Sequence, residues 1–268
     1  MTDIPALPRT LRDRLAVPTR ILPVAILVVL LIAITLRSPG FLSLNSIQVL
    51  LASASVFALL ATGQLVVILM GRIDLSTGAM AALGTVLLAK WLPTLGVWAI
   101  VFTLACLTLA GLVNGLVHTW AQIPSFVVTL GALGLWSGVA LVVSGANAIS
   151  VNKGYSLIQW TTGFLGPVPR EVLLAGVVLA GLGAFLRLTV PGRQVYAIGL
   201  AEQATMMSGV RVRTRVIGAF ALSGLAAGLA SMVLVGQQIS GDPLAAQSLL
   251  LPSIAAVVIG RASCRERV

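Results

Sequence analysis

Leu95-Gly-Val-Trp-Ala-Ile-Val-Phe-Thr-Leu-Ala-Cys-Leu-Thr-Leu-Ala-Gly-Leu-Val-Asn-Gly-Leu-Val117 carries no charge from end to end. Bilayer hydrocarbon is roughly 30 Å thick and asks for about 20 mostly apolar residues per spanning helix. This run meets that length, as do Pro124–Val143 and Val216–Gly236. A backbone in hydrocarbon has to satisfy its own N–H and C=O groups, which a helix does and an isolated strand does not. The expected fold is therefore all-α, a polytopic transmembrane helical bundle.

Working outward from that run, spans are expected at 21–36, 47–70, 75–89, 95–117, 124–143, 171–187, 215–236 and 247–260. The third and the last are short. They read as broken or re-entrant candidates, which are tolerated where protein or water covers the backbone. Composition agrees: 58% of residues are hydrophobic, only 9% are charged, and mean hydropathy is +1.07. A soluble domain carries roughly 25% charged residues, so an ordinary soluble enzyme is excluded.

The net charge of +10 would point to nucleic acid in a soluble protein. Here the basic residues sit in the joints between spans, so they read as topology signals and no nucleic-acid partner is expected. With the N-terminus inside, inward joints hold Arg9, Arg12, Arg14, Arg20, Arg72, Arg187, Arg193, Arg211, Arg213 and Arg215. Outward joints hold Arg37, Lys90, Lys153 and Arg170. That asymmetry favours a cytoplasmic tail at 1–20 and a cytoplasmic segment at 188–214. The first apolar run is read as a retained span, because its leader is long and no small-residue cleavage site follows. The longest outward joint, Ser144–Arg170, holds Asn147, Asn152, Tyr155, Gln159 and Trp160 and suits a structure lying at the membrane surface.

Two GxxxG patterns, Gly111-Leu-Val-Asn-Gly115 and Gly224-Leu-Ala-Ala-Gly228, mark close helix packing. Catalytic chemistry is harder to find. The lone histidine, His118, lies at a predicted boundary, where an interfacial role outweighs a catalytic one. The only lysines, Lys90 and Lys153, precede Trp91 and Gly154, so no Gly-x4-Gly-Lys-Ser/Thr phosphate loop exists. Cys106 lies in an apolar run and Cys264 in the terminal stretch, which suggests neither a disulfide framework nor a metal cluster. No catalytic residue, metal ligand or bound cofactor is expected of this chain. None of its acids falls clearly within a span, which disfavours proton coupling.

Gly71-Arg-Ile-Asp-Leu-Ser-Thr-Gly78 interrupts two apolar stretches. Asp74 there can accept hydrogen bonds from the first amides of the following helix and oppose its positive end. Gln64, Ser76, Asn114, Phe126 and Thr129 join Asp74 as candidates for a translocation path or for inter-helix hydrogen bonding.

Several separated segments resemble the permease subunits of bacterial ATP-binding-cassette sugar importers of the ribose, xylose and galactoside type. They are Gly71–Gly78, Asn114-Gly115, Ile123-Pro-Ser-Phe-Val-Val-Thr-Leu-Gly131 and Ser240-Gly-Asp-Pro243. To these are added Gly192-Arg-Gln-Val-Tyr-Ala-Ile-Gly199 and Glu202-Gln-Ala-Thr-Met-Met-Ser-Gly-Val210. The resemblance covers roughly residues 40–260 and implies a multi-pass inner-membrane permease. Such a permease pairs with a second copy or a paralogue and receives a monosaccharide from a periplasmic binding protein. It is driven by separate ATPase subunits that use ATP and Mg²⁺. Glu202–Val210 would then be the coupling helix docking into an ATPase groove. Ala204, Met206, Met207 and Val210 would supply apolar contacts, Glu202 a polar anchor, Gly209 a turn, and Ser208 would lie between them. Ala201 departs from the asparagine common there, which weakens local capping.

The family continues beyond Gly260 to about ten spans, so Arg261–Val268 reads as a non-native tail on a truncated chain with a permease domain at 21–260. Related permeases for branched-chain amino acids, nucleosides or autoinducer share the architecture. An ion-coupled secondary carrier is the competitor from another class, and an embedded enzyme using His118 is the remotest reading.

Overall fold

A computed structural model describes residues 21–265, with side chains from Val24 to Gly260 apart from Pro39. The expectations for the tail at 1–20 and for the side chains of 261–268 lie outside the described residues. The described chain is helical nearly throughout, as a protein confined to hydrocarbon has to be.

The chain divides into two compact units, Met1–Leu50 and Leu51–Val268. The first contains α1 (Ile21–Arg37), a 3-10 turn at Pro39–Leu42 and the opening turns of α2 (Leu44–Leu69). In that turn Ser43 Oγ accepts the Ser46 amide (3.3 Å) and Ser46 Oγ donates to the Gly40 carbonyl (3.0 Å), which fixes where α2 begins.

The second unit carries the rest of α2, then α3 (Thr77–Leu95), α4 (Val97–Ala121), α5 (Ser125–Ser144), α6 (Arg170–Leu188), α7 (Val190–Leu200), α8 (Glu202–Met207), α9 (Val212–Gln238) and α10 (Leu250–Arg265). Each expected span is represented by a helix. Six of them, α2 to α6 and α9, are long and apolar enough to cross a membrane, and α1 and α10 are shorter. One boundary is corrected. The third span does not end before Lys90 but runs on to Leu95 with Pro93 inside it, while Lys90 Nζ donates to the Val143 carbonyl (3.2 Å). A long lysine stem can lie along apolar surface with its head at the boundary, so the charge does not stop the helix.

The GxxxG motifs at Gly111–Gly115 and Gly224–Gly228 meet each other. A Cβ on Gly111 would collide with the Phe220 carbonyl and one on Gly224 with the Leu107 carbonyl, so α4 and α9 touch backbone to backbone. Gly115 lies against Ile217 and Gly228 against Leu104 along the same crossing. Dispersion contact of this kind is what lipid cannot supply.

At one end of the unit, the joint expected to lie at the surface is largely exposed but is anchored to the bundle as a cap. Ile149–Ser150 pairs antiparallel with Ser240–Gly241, and a second two-stranded ladder joins Phe164–Leu165 to Val168–Pro169. Val151, Ile158 and Thr161 are buried, and Val151 and Ile158 join Leu92, Ala99 and Val235 in one apolar cluster. Tyr155 Oη donates to the Gly236 carbonyl at 2.9 Å, tying the cap to α9.

The opposite end holds the 188–214 segment, which folds as two helices. Thr189 caps α7 by accepting the Gly192 amide (3.1 Å), with Pro191 in the first turn where its missing N–H costs nothing. A Cβ on Gly199 would collide with the Leu69 carbonyl, so α7 ends directly against the end of α2. Arg215 Nε donates to Gln194 Oε1 (2.6 Å), tying α7 to the start of α9.

Candidate functional site

Between α2 and α3 the chain makes a tight joint, and its residues organise a buried polar network. Asp74 is 1% exposed. Its Oδ1 accepts the Ser76 amide (2.9 Å) and the Ser76 hydroxyl (2.6 Å), and its Oδ2 accepts the Ser223 hydroxyl of α9 (2.7 Å). The Thr77 hydroxyl lies 3.3 Å from that of Ser223. Asn114 of α4 donates through Nδ2 to Ser76 Oγ (2.8 Å), and Trp136 of α5 donates through Nε1 toward Asn114 Oδ1 (3.4 Å). Burial pushes the Asp74 carboxyl above its ordinary range, and the hydrogen bonds from Ser76, Ser223 and Thr77 oppose that rise.

The expected cap at Asp74 is realised in altered form. Its carboxylate takes the amide of Ser76, the residue just before α3, and two side-chain hydroxyls, rather than the first amides of the helix. The joint is also fixed to α5: the Ile73 amide donates to Ser125 Oγ (3.1 Å) and Thr129 Oγ1 donates to the Ile73 carbonyl (3.3 Å). Of the sequence candidates, Asp74, Ser76, Asn114 and Thr129 thus converge on one joint. Gln64 does not share in it: it is buried in α2 with neither amide atom partnered. Phe126 is 54% exposed and also lies outside it.

Two residues before Asp74, Arg72 reaches in three directions. Its Nη1 donates to the Met70 carbonyl (2.9 Å), its Nε to His118 Nε2 (3.0 Å) and its Nη2 to Glu202 Oε1 (2.8 Å). Since Nε2 accepts, the His118 proton sits on Nδ1, which donates to the Ile123 carbonyl at 2.7 Å. His118 therefore works as a strut between the α4–α5 joint and Arg72. The arrangement holds polar contacts between helices and offers no nucleophile–base pair.

α8 lies at the far side of this strut. Thr205 is buried beneath it, while Met206 and Met207 are 60% and 85% exposed. Ala204 and Ser208 are also exposed and Val210 is half-buried. Ala201 offers no side-chain cap. The helix ends in a Schellman turn: Gly209 N bonds to Met206 O (3.0 Å) and Val210 N to Thr205 O (3.4 Å), with Gly209 at φ +85°. Where the sequence reading has Glu202 anchor a partner, one of its oxygens is directed back to Arg72.

The family model described as "Branched-chain amino acid transport system / permease component" matches residues 46–266. The chain belongs to this permease family. The permease is 35% identical over 248 residues to the ribose import permease protein of Escherichia coli strain K12, covering 90% of this chain and 76% of that one. It is 30% identical over 230 residues to the D-allose transport system permease protein of the same strain, covering 83% and 69%. A third relative there, a probable ABC transporter permease protein, is 34% identical over 243 residues, covering 88% and 71%. No solved structure matches.

Within the permease, sequence reasoning missed Ser223, Trp136 and the Arg72–His118–Glu202 strut. Ser223 stands in an alanine- and glycine-rich helix where a small hydroxyl looks like packing. The motifs around Arg72 and Asn114 and the family-like run around Glu202 carried a usable signal.

Proposed function

We propose that this permease is one half of the membrane pathway of a bacterial inner-membrane ATP-binding-cassette importer for a monosaccharide of ribose-like chemistry. The cargo assignment rests on the relatives named for ribose and D-allose. The same names weigh against branched-chain amino acids, nucleosides or autoinducer. The importer class is supported by the relative named as a probable ABC transporter permease. The N-terminus lies in the cytoplasm on this reading, because Arg72, Arg187, Arg193, Arg211, Arg213 and Arg215 gather at the α8 end while Lys90, Lys153 and Arg170 lie toward the cap.

The observation that carries the reading is an exposed pair of methionines on α8 whose helix is tied, through Glu202 and Arg72, to the buried joint at Asp74. Flexible thioether side chains suit an apolar partner groove. ATP and Mg²⁺ act on the partner ATPase, not on this chain. Closure of the ATPase pair displaces α8, and the strut transmits that displacement to the helices meeting at Asp74. Two arrangements of the bundle then exchange as rigid groups, biased by contacts that differ between them. A periplasmic binding protein delivers the sugar at the capped face, and a second permease copy or paralogue completes the path.

The test is reconstitution with a candidate partner ATPase and a ribose-binding protein. Labelled ribose should enter vesicles only with ATP, Mg²⁺ and all three components. Uptake by the permease alone on an ion gradient would replace this reading with a secondary carrier.

A further inference from the structure

The motif Ser240-Gly-Asp-Pro243 has no part in the joint or the coupling segment. After α9 ends at Gln238, Ile239 turns with φ +53° and the chain runs back along α3 without forming a helix. A Cβ on Gly241 would collide with the Thr85 carbonyl and meet Ala89. Thr85 Oγ1 accepts the Asp242 amide (3.1 Å) and donates to the Asp242 carbonyl (3.0 Å). Lower down, a Cβ on Gly78 would come within 3.0 Å of the Ala246 carbonyl and 3.2 Å of Leu250 Cβ. Residues 241–246 therefore descend from the level of Ala89 to that of Gly78. The 19 residues of α3 span roughly 28 Å at about 1.5 Å per residue, which puts Thr85 about 12 Å from the helix start. With α3 spanning the bilayer, this is irregular chain within the membrane's depth.

Irregular backbone at that depth does not face lipid; it is covered by protein or lines water. One side of the segment is covered, with Gly241, Pro243 and Ala246 buried against the bundle. The other side is open: Leu244 is 55% exposed, Gln247 and Ser248 are exposed, and Asp242 is half-buried. Asp242 Oδ1 accepts the Leu244 amide (2.8 Å), which fixes the turn and leaves the second carboxylate oxygen to other donors. A carboxylate, a carboxamide and a hydroxyl on one open strip are costly against hydrocarbon and well matched to the hydroxyls of a neutral polyol.

We propose that Asp242–Ser248 is a re-entrant segment lining the wetted sugar passage, with Asp242 accepting hydrogen bonds from adjacent sugar hydroxyls and Gln247 and Ser248 contacting the same solute. The sugar part rests on the proposed importer function; the water-lined part does not.

The test uses the assembled transporter in native membrane vesicles, in a Cys106→Ser, Cys264→Ser background. A membrane-impermeant methanethiosulfonate reagent is applied to Gln247→Cys and Ser248→Cys, with Val177→Cys on α6 as the lipid-side comparison. Thiols in water should react at least about ten-fold faster than Val177→Cys, since the thiolate is the reacting form and needs hydration. Saturating ribose with binding protein should slow that labelling. Rates equal to Val177→Cys, showing a strip covered by a second copy or other protein, would overturn the passage. Labelling that ribose leaves unchanged would overturn the solute contact while leaving a wetted strip. Asp242→Asn keeps the acceptor for Leu244 N–H but removes the charge. It should cut ribose uptake at saturating binding protein by about ten-fold, the loss of one charge-assisted hydrogen bond. Undiminished uptake would remove Asp242 as a contact. A wild-type complex that fails to move ribose, alongside a Ser248→Cys complex that labels rapidly, would sink the cargo assignment alone.

Discussion

Arg72 and Glu202, 130 positions apart, are joined by a 2.8 Å ion pair that links α8 to the joint before α3. The two ends differ: the Arg72 side chain is 14% exposed and that of Glu202 is 49% exposed. A pair so open on one side contributes only roughly 0.2–1 kcal/mol to stability. Its geometric effect is to tie the largely exposed α8 to the buried joint before α3.

Replacing Glu202 with Gln should therefore leave thermal unfolding in detergent almost unmoved, within about 1 kcal/mol, while lowering ATP-driven uptake several-fold. Exchanging the charges, Arg72→Glu with Glu202→Arg, should restore part of that loss. The recovery will be incomplete, because Arg72 also donates to His118 and to the Met70 carbonyl. A double-mutant cycle on uptake rates measures the coupling. Additive losses would mean that the pair transmits nothing.

The α4–α9 crossing gives a sharper stability test. Gly111→Ala puts a methyl onto the Phe220 carbonyl, which belongs to helix backbone and cannot swing aside. Overpacking of this kind costs about 1–3 kcal/mol. Gly131→Ala on α5 is the control, since a Cβ there meets nothing within 4 Å, and in a helix it should be neutral or gain roughly 0.5–1 kcal/mol. Melting in detergent should separate the two variants in opposite directions.

The spans were legible because hydrocarbon forbids charge over a fixed length, and every expected run is a helix. Lys90 misled, since its stem lets the ammonium reach the Val143 carbonyl without ending α3. The glycine motifs announced close packing, but their mutual partnership is a tertiary fact that neither motif contains alone. Asp74 and Ser76 were identifiable as polar residues at a joint between apolar runs, and Asn114 and Thr129 as polar residues inside such runs. Ser223 was not, because its hydroxyl becomes informative only when α9 brings it to Asp74. The anchoring of the outer cap was not legible for a similar reason: Ile158 and Thr161 are buried by α9, far along the chain.

Gly209 closes α8 in a left-handed conformation with open space around its Cα. The Cβ of Gly209→Val meets nothing within 4 Å, so the main penalty is backbone conformation, about 1–2 kcal/mol. That is enough to loosen a six-residue helix without disturbing the spans. Membrane insertion and detergent stability should be retained while ATP hydrolysis by the partner persists without matching uptake. Normal uptake by Gly209→Val would remove α8 as the coupling element.

Asp74 separates charge from shape. Asp74→Ala strands the buried Ser76 hydroxyl proton and leaves the buried Ser223 hydroxyl only its 3.3 Å contact with Thr77. It also removes the acceptor of the Ser76 amide, and each unmet donor costs about 1–3 kcal/mol. Asp74→Asn keeps an oxygen for Ser76, and its carboxamide nitrogen can donate to Ser223 Oγ, which is an acceptor as well as a donor. Because burial already disfavours the charged form, the neutral amide should be tolerated far better than alanine. The alanine variant should lose folded yield and melt several degrees lower, with the asparagine variant near wild type. Equal damage from both would mean that the ionised carboxylate itself, and not the hydrogen-bond pattern, holds α3, α4 and α9 to the joint.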